Sequence, residues 1–81
     1  MVRVVLTGGL LRFSEGTEAF DLDAATIRQL FRKLSELYPA MEPHLLEGIG
    51  VAIDGVIYQD AWLQSIPPES EVILMPQIAG G

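Results

Sequence analysis

The most constraining feature of the sequence is a short apolar run, Glu71 to Met75, which reads Glu-Val-Ile-Leu-Met. Prolines stand on both sides of it, namely Pro67 and Pro68 before it and Pro76 after it. An apolar, partly β-branched run of this length between turn residues is typical of a strand buried in the middle of a small sheet. We therefore predict a sheet built around this strand, which Pro76 ends.

The remaining segments supply partners for that strand. Residues 2–7 alternate between two faces and predict a first strand, and residues 17–22 predict its antiparallel partner. The Asp54-Gly55 pair between two apolar segments is the strongest short-range hairpin signal in the chain. We expect the last strand to lie beside the first and parallel to it, because both are strongly apolar and the chain returns over a helix.

One helix is predicted between the two hairpins. Thr26 can accept a hydrogen bond from the amide of Gln29, whose side chain can reach back to Thr26, as in a capping box. Pro39 ends the helix, because the residue before a proline disfavours helical dihedral angles. Apolar residues recur at helical spacing and form one stripe: Ile27, Leu30, Phe31, Leu34, Leu37 and Tyr38. One helix covers one sheet face, which predicts a two-layer α+β domain with a mixed four- to five-stranded sheet.

Three further features allow both a structural and a binding interpretation. Arg28, Arg32 and Lys33 place most of the positive charge on the outer face of the helix, which is more often solvated than bound. Trp62 lies in a short apolar connection, where it can cap the edge of the core or be exposed for a partner. His44 has no second ligand at metal spacing, so we expect a surface residue and no metal site.

Composition excludes several classes of function. Eleven acidic and five basic side chains give a net charge of −6, which disfavours binding to nucleic acid. The acidic charge either attracts a basic protein partner or only increases solubility. Without cysteine there are no disulfides, thiolate nucleophiles or zinc–thiolate sites. We expect no signal peptide and no membrane contact, and hence a cytoplasmic protein. No phosphate-binding loop or Ser-His-Asp set can be built, so we do not expect an enzyme.

The residues after Pro76 form a tail of sequence Gln-Ile-Ala-Gly-Gly. Gly80 and Gly81 carry no side chain, so they can enter a channel that larger residues would block. Pro76 limits the flexible length to about five residues, which reduces the entropy lost when a partner captures the tail. We therefore divide the chain into a folded domain, residues 1–76, and a flexible tail, residues 77–81, that acts as a delivery arm. The alternative is a frayed terminus with no role.

Outward residues of the last strand are the candidate partner surface. In the favoured register, Ile73 and Met75 point away from the helix and, together with Pro76, offer a hydrophobic contact beside the tail. Methionine suits such a surface because its flexible side chain adapts to more than one partner. In the alternative register, Val72 and Leu74 face outward, and Ile73 and Met75 belong to the core.

The order of these elements and three motifs resemble the MoaD/ThiS family of ubiquitin-like sulfur carriers. The motifs are the Asp54-Gly55 hairpin, the strand from Ser70 to Pro76 and the ending Ile78-Ala79-Gly80-Gly81. The resemblance covers nearly the whole chain and implies a β-grasp fold. It also implies that a ubiquitin-activating-type enzyme adenylates Gly81 with ATP, that Gly81 is then converted to a thiocarboxylate, and that Ile78, Ala79 and Gly80 thread a partner's channel. The carrier itself would bind no cofactor.

Length and tail are most similar to the small subunit of molybdopterin synthase, which implies the large subunit of that enzyme as a partner. Met75-Pro76-Gln77 departs from the aromatic residue and two prolines that are common there. This departure leaves open another sulfur-accepting synthase, for thiamin, cysteine or tungstopterin. Two other functions also stay open: a ubiquitin-like modifier joined to lysines, and an interaction domain with an inert tail.

Overall fold

A computed structural model describes residues 1–59 and 61–76, which form a five-stranded mixed sheet with helices on one face. The strands are β1 (Val2–Leu6), β2 (Ala19–Leu22), β3 (Ile49–Ile53), β4 (Val56–Tyr58) and β5 (Glu71–Pro76). The α-helices are α1 (Ile27–Leu37) and α2 (Glu42–Leu46), and 3-10 helices span Gly8–Arg12 and Pro39–Met41. No helix within these ranges has the length and apolarity needed to cross a bilayer.

The strand order is β2-β1-β5-β3-β4, which confirms β5 as the central strand. It runs parallel to β1, as predicted, and antiparallel to β3. The strand is one residue longer than predicted, because Pro76 pairs with Ile49 and still belongs to it. Proline has no amide hydrogen to donate, so it fits the last position of a ladder.

Both predicted hairpins form. In the β3–β4 hairpin, Asp54 and Gly55 adopt φ angles of 48° and 90°, the left-handed pair of values that a type I′ turn requires. Asp54 also donates its amide to the carbonyl of Glu71 and accepts from the Glu71 amide through Oδ1, both at 2.9 Å. The turn is thereby fixed to the start of β5. The β1–β2 hairpin has a shorter second strand than predicted, beginning at Ala19.

The predicted cap of α1 is present, with one difference. Thr26 Oγ1 accepts from the Gln29 amide at 3.2 Å, as expected, but the Gln29 side chain accepts from the amide of Ala25 at 2.9 Å, not from that of Thr26. Leu37 was wrongly placed in the buried stripe, because α1 ends there and leaves its side chain 54% exposed. The other stripe residues pack inward: Ile27, Leu30, Phe31 and Leu34 are buried, and Tyr38 is half-buried.

The core lies between α1, α2 and the inner face of the sheet. Its most completely buried residues come from both layers and include Val4, Leu30, Leu34, Met41, Val72 and Leu74. Met41 lies in the 3-10 helix Pro39–Met41, between α1 and α2. The core packs against the inner face of β5 through Val72 and Leu74, both fully buried.

Candidate docking face and tail base

Residues predicted to contact a partner lie on the outer face of the sheet, which is opposite α1. Ile73 and Met75 are half-buried there, whereas Val72 and Leu74 are fully buried beneath the helices. Pro76, at the end of β5, is exposed. The favoured register is therefore the one that the structure has. That these residues bind a partner stays a prediction.

Ile73 is the centre of an apolar row that crosses all five described strands. Direct cross-strand pairing aligns five residues on this face, which we call the outer-face row: Ala19, Val5, Ile73, Ala52 and Ile57. Ile57 lies in the edge strand β4 and is 63% exposed. Ala19, Val5 and Ile73 are half-buried and Ala52 is buried, so the row is partly exposed and most open at Ile57. An apolar surface that reaches solvent in this way is a candidate site of protein contact.

Met75 extends this surface towards the tail. It pairs with Gly50 of β3, and a Cβ atom at position 50 would lie 3.6 Å from Met75 Cε. The methionine side chain thus lies across the glycine, in space that a larger residue would occupy. An alanine at position 50 would touch Met75 at an ordinary contact distance, whereas a longer side chain would compete with Met75 for this space.

A polar row borders the outer-face row on the side away from the tail. Arg3 pairs with Asp21 on one side and with Glu71 on the other. Asp54 is hydrogen-bonded to the amide of Glu71 and adds another carboxylate at the start of β5. Three carboxylates and one guanidinium make this border acidic on balance. A basic rim on a partner would complement it.

The base of the tail is fixed by contacts on both sides of β5. Thr7 donates both its amide, at 3.2 Å, and its hydroxyl, at 2.8 Å, to the carbonyl of Leu74. Gly8 has φ +59° and lies against Pro76, where an added Cβ would stand 3.2 Å from Pro76 Cγ. Ile49 pairs with Pro76 from the other side. These contacts set the direction in which the chain leaves the domain.

Thr7 and Gly8 are absent from the predicted site. The sequence shows Gly8 and Gly9 only as a turn, and nothing local to them indicates a contact with Pro76. His44, expected at the surface, is half-buried and stacks on Phe13, with ring centroids 4.3 Å apart. It lines a small cavity next to Pro76, together with Leu10, Glu47, Gly48 and Ile49.

The predicted tail residues Ile78, Ala79, Gly80 and Gly81 lie outside the described residues, and their roles stay predictions. Within residues 1–59 and 61–76, no three His, Asp or Glu side chains come together as a set of metal ligands. Trp62 takes the structural position at the edge of the core, where its ring meets Phe31 edge-on with centroids 5.0 Å apart.

Comparison with protein-family models gave no match, and comparison with curated proteins gave none either. Solved structures do match over nearly the whole chain. CysO in the BexX/CysO complex of Amycolatopsis orientalis has a TM-score of 0.82 at 14% identity, with 100% of both chains covered. The small archaeal modifier protein SAMP1 from Methanosarcina acetivorans has a TM-score of 0.79 at 19% identity, covering 99% of this chain and 95% of that one.

A candidate molybdopterin converting factor subunit 1 from Pyrococcus furiosus has a TM-score of 0.74 at 16% identity, covering 95% of this chain and 97% of that one. At these identities the likeness concerns the fold, and it confirms the α+β architecture expected from the sequence. The chain therefore has the fold of these small proteins, which is the β-grasp fold that the sequence resemblance implied.

Proposed function

We propose that this protein is a sulfur carrier, with its C-terminal Gly81 as the group that carries sulfur in cofactor biosynthesis. The observation that carries the proposal is the base of the tail. Thr7 and Gly8 contact the end of the central strand β5, up to Pro76. Five residues follow in the sequence, and the last two of them are glycines. A firmly held strand that leads into a segment ending in two glycines suits delivery of its terminal carbonyl group into a narrow site.

Activation of Gly81 needs another enzyme. A carboxylate resists nucleophiles at neutral pH, so a ubiquitin-activating-type enzyme adenylates it: a carboxylate oxygen attacks the α-phosphorus of ATP, and pyrophosphate leaves. A sulfur nucleophile then attacks the acyl carbon, and the C–O bond to AMP breaks. With hydrosulfide as the nucleophile, loss of a proton gives the thiocarboxylate directly. With a persulfide, R–S–S⁻, a thiolate R′–S⁻ attacks the sulfur bonded to R in the resulting acyl disulfide, so the thiocarboxylate leaves and the disulfide R–S–S–R′ forms. The protein supplies only the acyl group, and ATP belongs to the activating enzyme.

Partners dock on the outer-face row and on Met75 and Pro76, which extend it from Ile73 towards the tail. We assign this face both to the adenylating enzyme and to the sulfur-accepting synthase, which therefore bind in turn. The acceptor that we propose is the large subunit of molybdopterin synthase. Support comes from the tail and from the fold shared with the candidate molybdopterin converting factor subunit 1 of Pyrococcus furiosus. Synthases for thiamin, cysteine or tungstopterin are the alternative acceptors.

Intact-mass measurement tests the proposal. Protein purified from its native cell, or incubated with its activating enzyme, ATP and a sulfur donor, should gain the mass difference between a sulfur and an oxygen atom. Fragmentation should place that gain on Gly81. An unchanged mass under conditions that convert a known carrier would overturn the proposal and, where higher-mass adducts are absent too, leave an interaction domain with an inert tail.

A ubiquitin-like modifier is the second candidate function. The observation in its favour is the shared fold with SAMP1, which is described as a small archaeal modifier protein. Here the acyl adenylate passes to a lysine amine of another protein, so Gly81 ends in an isopeptide bond. Higher-mass adducts that an isopeptidase cleaves, with no thiocarboxylate detected, would favour this function over the carrier.

A further inference from the structure

A cleft on the helix side of the molecule is not used by the proposed function. It lies between α1, α2 and the loop residues 61–64, on the opposite side of the sheet from the outer-face row. Two adjoining cavities share its floor and walls. We call it the helix-side cleft and define it by six residues: Arg28, Phe31, Arg32, Leu45, Leu46 and Trp62.

The cleft is preformed, because its loop wall is tied to α1. The amide of Arg28 donates to the carbonyl of Trp62 at 2.8 Å, and the amide of Ile27 donates to that of Gln64 at 3.0 Å. The Trp62 ring also packs edge-on against Phe31. The cleft is therefore already ordered before a ligand enters between Trp62 and α2. Little conformational entropy is lost on binding, which favours it.

Apolar residues line the interior of the cleft. Phe31 and Leu45 are buried and form its floor, and Trp62 is half-buried in its wall. Leu46 on α2 lines the same cleft and is 64% exposed. The cleft thus offers a place for one large apolar side chain.

The open edge of the cleft is positively charged. Arg28 and Arg32 are exposed and stand one helical turn apart, about 6 Å along the axis of α1. Within the described part of the chain, the one ion pair joins the Met1 ammonium to Glu69, so neither arginine is paired with a carboxylate there. Lys33 donates to the carbonyl of Asp23 and is directed away from the cleft. Glu42, on α2, also lines the cleft, so two guanidinium groups and one carboxylate leave its lining with one net positive charge.

We propose that the helix-side cleft binds a short acidic segment of a partner protein. One large apolar side chain of the segment lies between Trp62 and Leu46, and two carboxylates flanking it pair with Arg28 and Arg32. Guanidinium groups suit this role, because each can bind a carboxylate through two hydrogen bonds. The overall charge of −6 repels a polyanion such as nucleic acid, whereas a short segment meets mainly the two local arginines.

This proposal does not depend on sulfur transfer. Because the cleft and the outer-face row lie on opposite sides of the sheet, both can be occupied at once. A partner in the cleft can therefore stay bound while the tail is activated or discharged.

Trp62 is the single tryptophan of the chain, so its fluorescence reports occupancy of the cleft directly. The probe is a synthetic peptide, Gly-Asp-Asp-Leu-Phe-Asp-Asp-Gly, titrated against the full-length protein. The control peptide has asparagine at each aspartate position. We expect a saturable change with the acidic peptide, at least about tenfold weaker binding of the control peptide, and weaker binding at high salt.

Two variants and one control place the site. Replacing both arginines, Arg28→Glu with Arg32→Glu, should weaken binding of the acidic peptide at least about tenfold, whereas Arg12→Glu should not. Arg12 is equally exposed but lies in the first 3-10 helix, outside the cleft. Should the double charge reversal lower the thermal midpoint, Arg28→Gln with Arg32→Gln gives the same test with less repulsion.

Three outcomes would overturn the proposal. The first is no saturable fluorescence change up to about 1 mM peptide, the weak limit of a specific contact. The second is equal binding of the acidic and the asparagine peptides, which would show an apolar cleft without charge selection. The third is tighter binding of a single-stranded oligonucleotide than of the acidic peptide, which would assign the arginines to phosphates.

Discussion

Gly8 lies so close to Pro76 that a Cβ atom at position 8 would stand 3.2 Å from Pro76 Cγ and 3.4 Å from Cδ. Two separate conditions therefore favour glycine at this position. Its φ of +59° is costly for residues with a side chain, and the space that a side chain needs is occupied by the last residue of β5. The contact joins the start of the first 3-10 helix to the point where the tail leaves the domain.

Replacement of Gly8 tests whether this contact directs the tail. Gly8→Ala should lower the free energy of unfolding by about 1–2 kcal/mol, because of its positive φ. Gly16→Ala is the matched control, since Gly16 has φ +84° and nothing within 4 Å of an added Cβ. We expect a larger loss of stability for Gly8→Ala than for Gly16→Ala in denaturant unfolding, because only Gly8→Ala adds a close contact with Pro76. Only Gly8→Ala should slow thiocarboxylate formation, followed by intact mass, and equal rates for the two variants would refute a directing role.

Met75→Asp tests the outer face. The variant should stay folded, because Met75 lies on the outer face, but it should dissociate faster from the adenylating enzyme. An unpaired carboxylate in a desolvated contact costs several kcal/mol. Val72→Asp is the control, since Val72 is fully buried and its replacement should unfold the domain. Binding kinetics and the thermal midpoint are measured on the same samples. Unchanged kinetics for folded Met75→Asp would remove this face from the proposed function.

Deletion of Gly80 and Gly81 should separate folding from transfer. The core of the described residues is complete without the tail, so we expect an almost unchanged thermal midpoint and no thiocarboxylate. Matched full-length protein is the control for both measurements. A midpoint lowered by several degrees would show that the tail contributes to the packed domain, and the delivery-arm interpretation would be wrong.

Lys33 is the single lysine of the chain and allows a test of the modifier alternative. Chains of the protein joined to itself could form only through Lys33 or the amino group of Met1. Lys33→Arg keeps the charge at that position but removes the acceptor amine. If the protein is a modifier that forms chains through this residue, the variant should give single adducts only, as seen by mass spectrometry. A pure carrier should show no adducts with either form.

Several local elements could be predicted because neighbouring residues specify them. Asp54 and Gly55 supply the two left-handed residues of a tight turn, and this requirement is local. Thr26 caps α1 because its hydroxyl meets the amide of Gln29 three residues along the chain. The apolar run between prolines predicted β5 because these residues are also neighbours in the sequence. Their alternation predicted which side chains of β5 face the core.

By itself, the sequence determined the strands, the helix, the parallel pairing of β1 with β5 and the glycine ending of the tail. Only the tertiary structure decided that Gly8 touches Pro76, that Ile73 aligns with Val5, Ala52 and Ile57, and that Trp62 forms a cleft with Arg28 and Leu46. The physical reason is the separation along the chain of the residues that interact. Turns and caps arise from dihedral preferences and hydrogen bonds between near neighbours, whereas these surfaces exist only once register and packing bring distant segments within van der Waals contact.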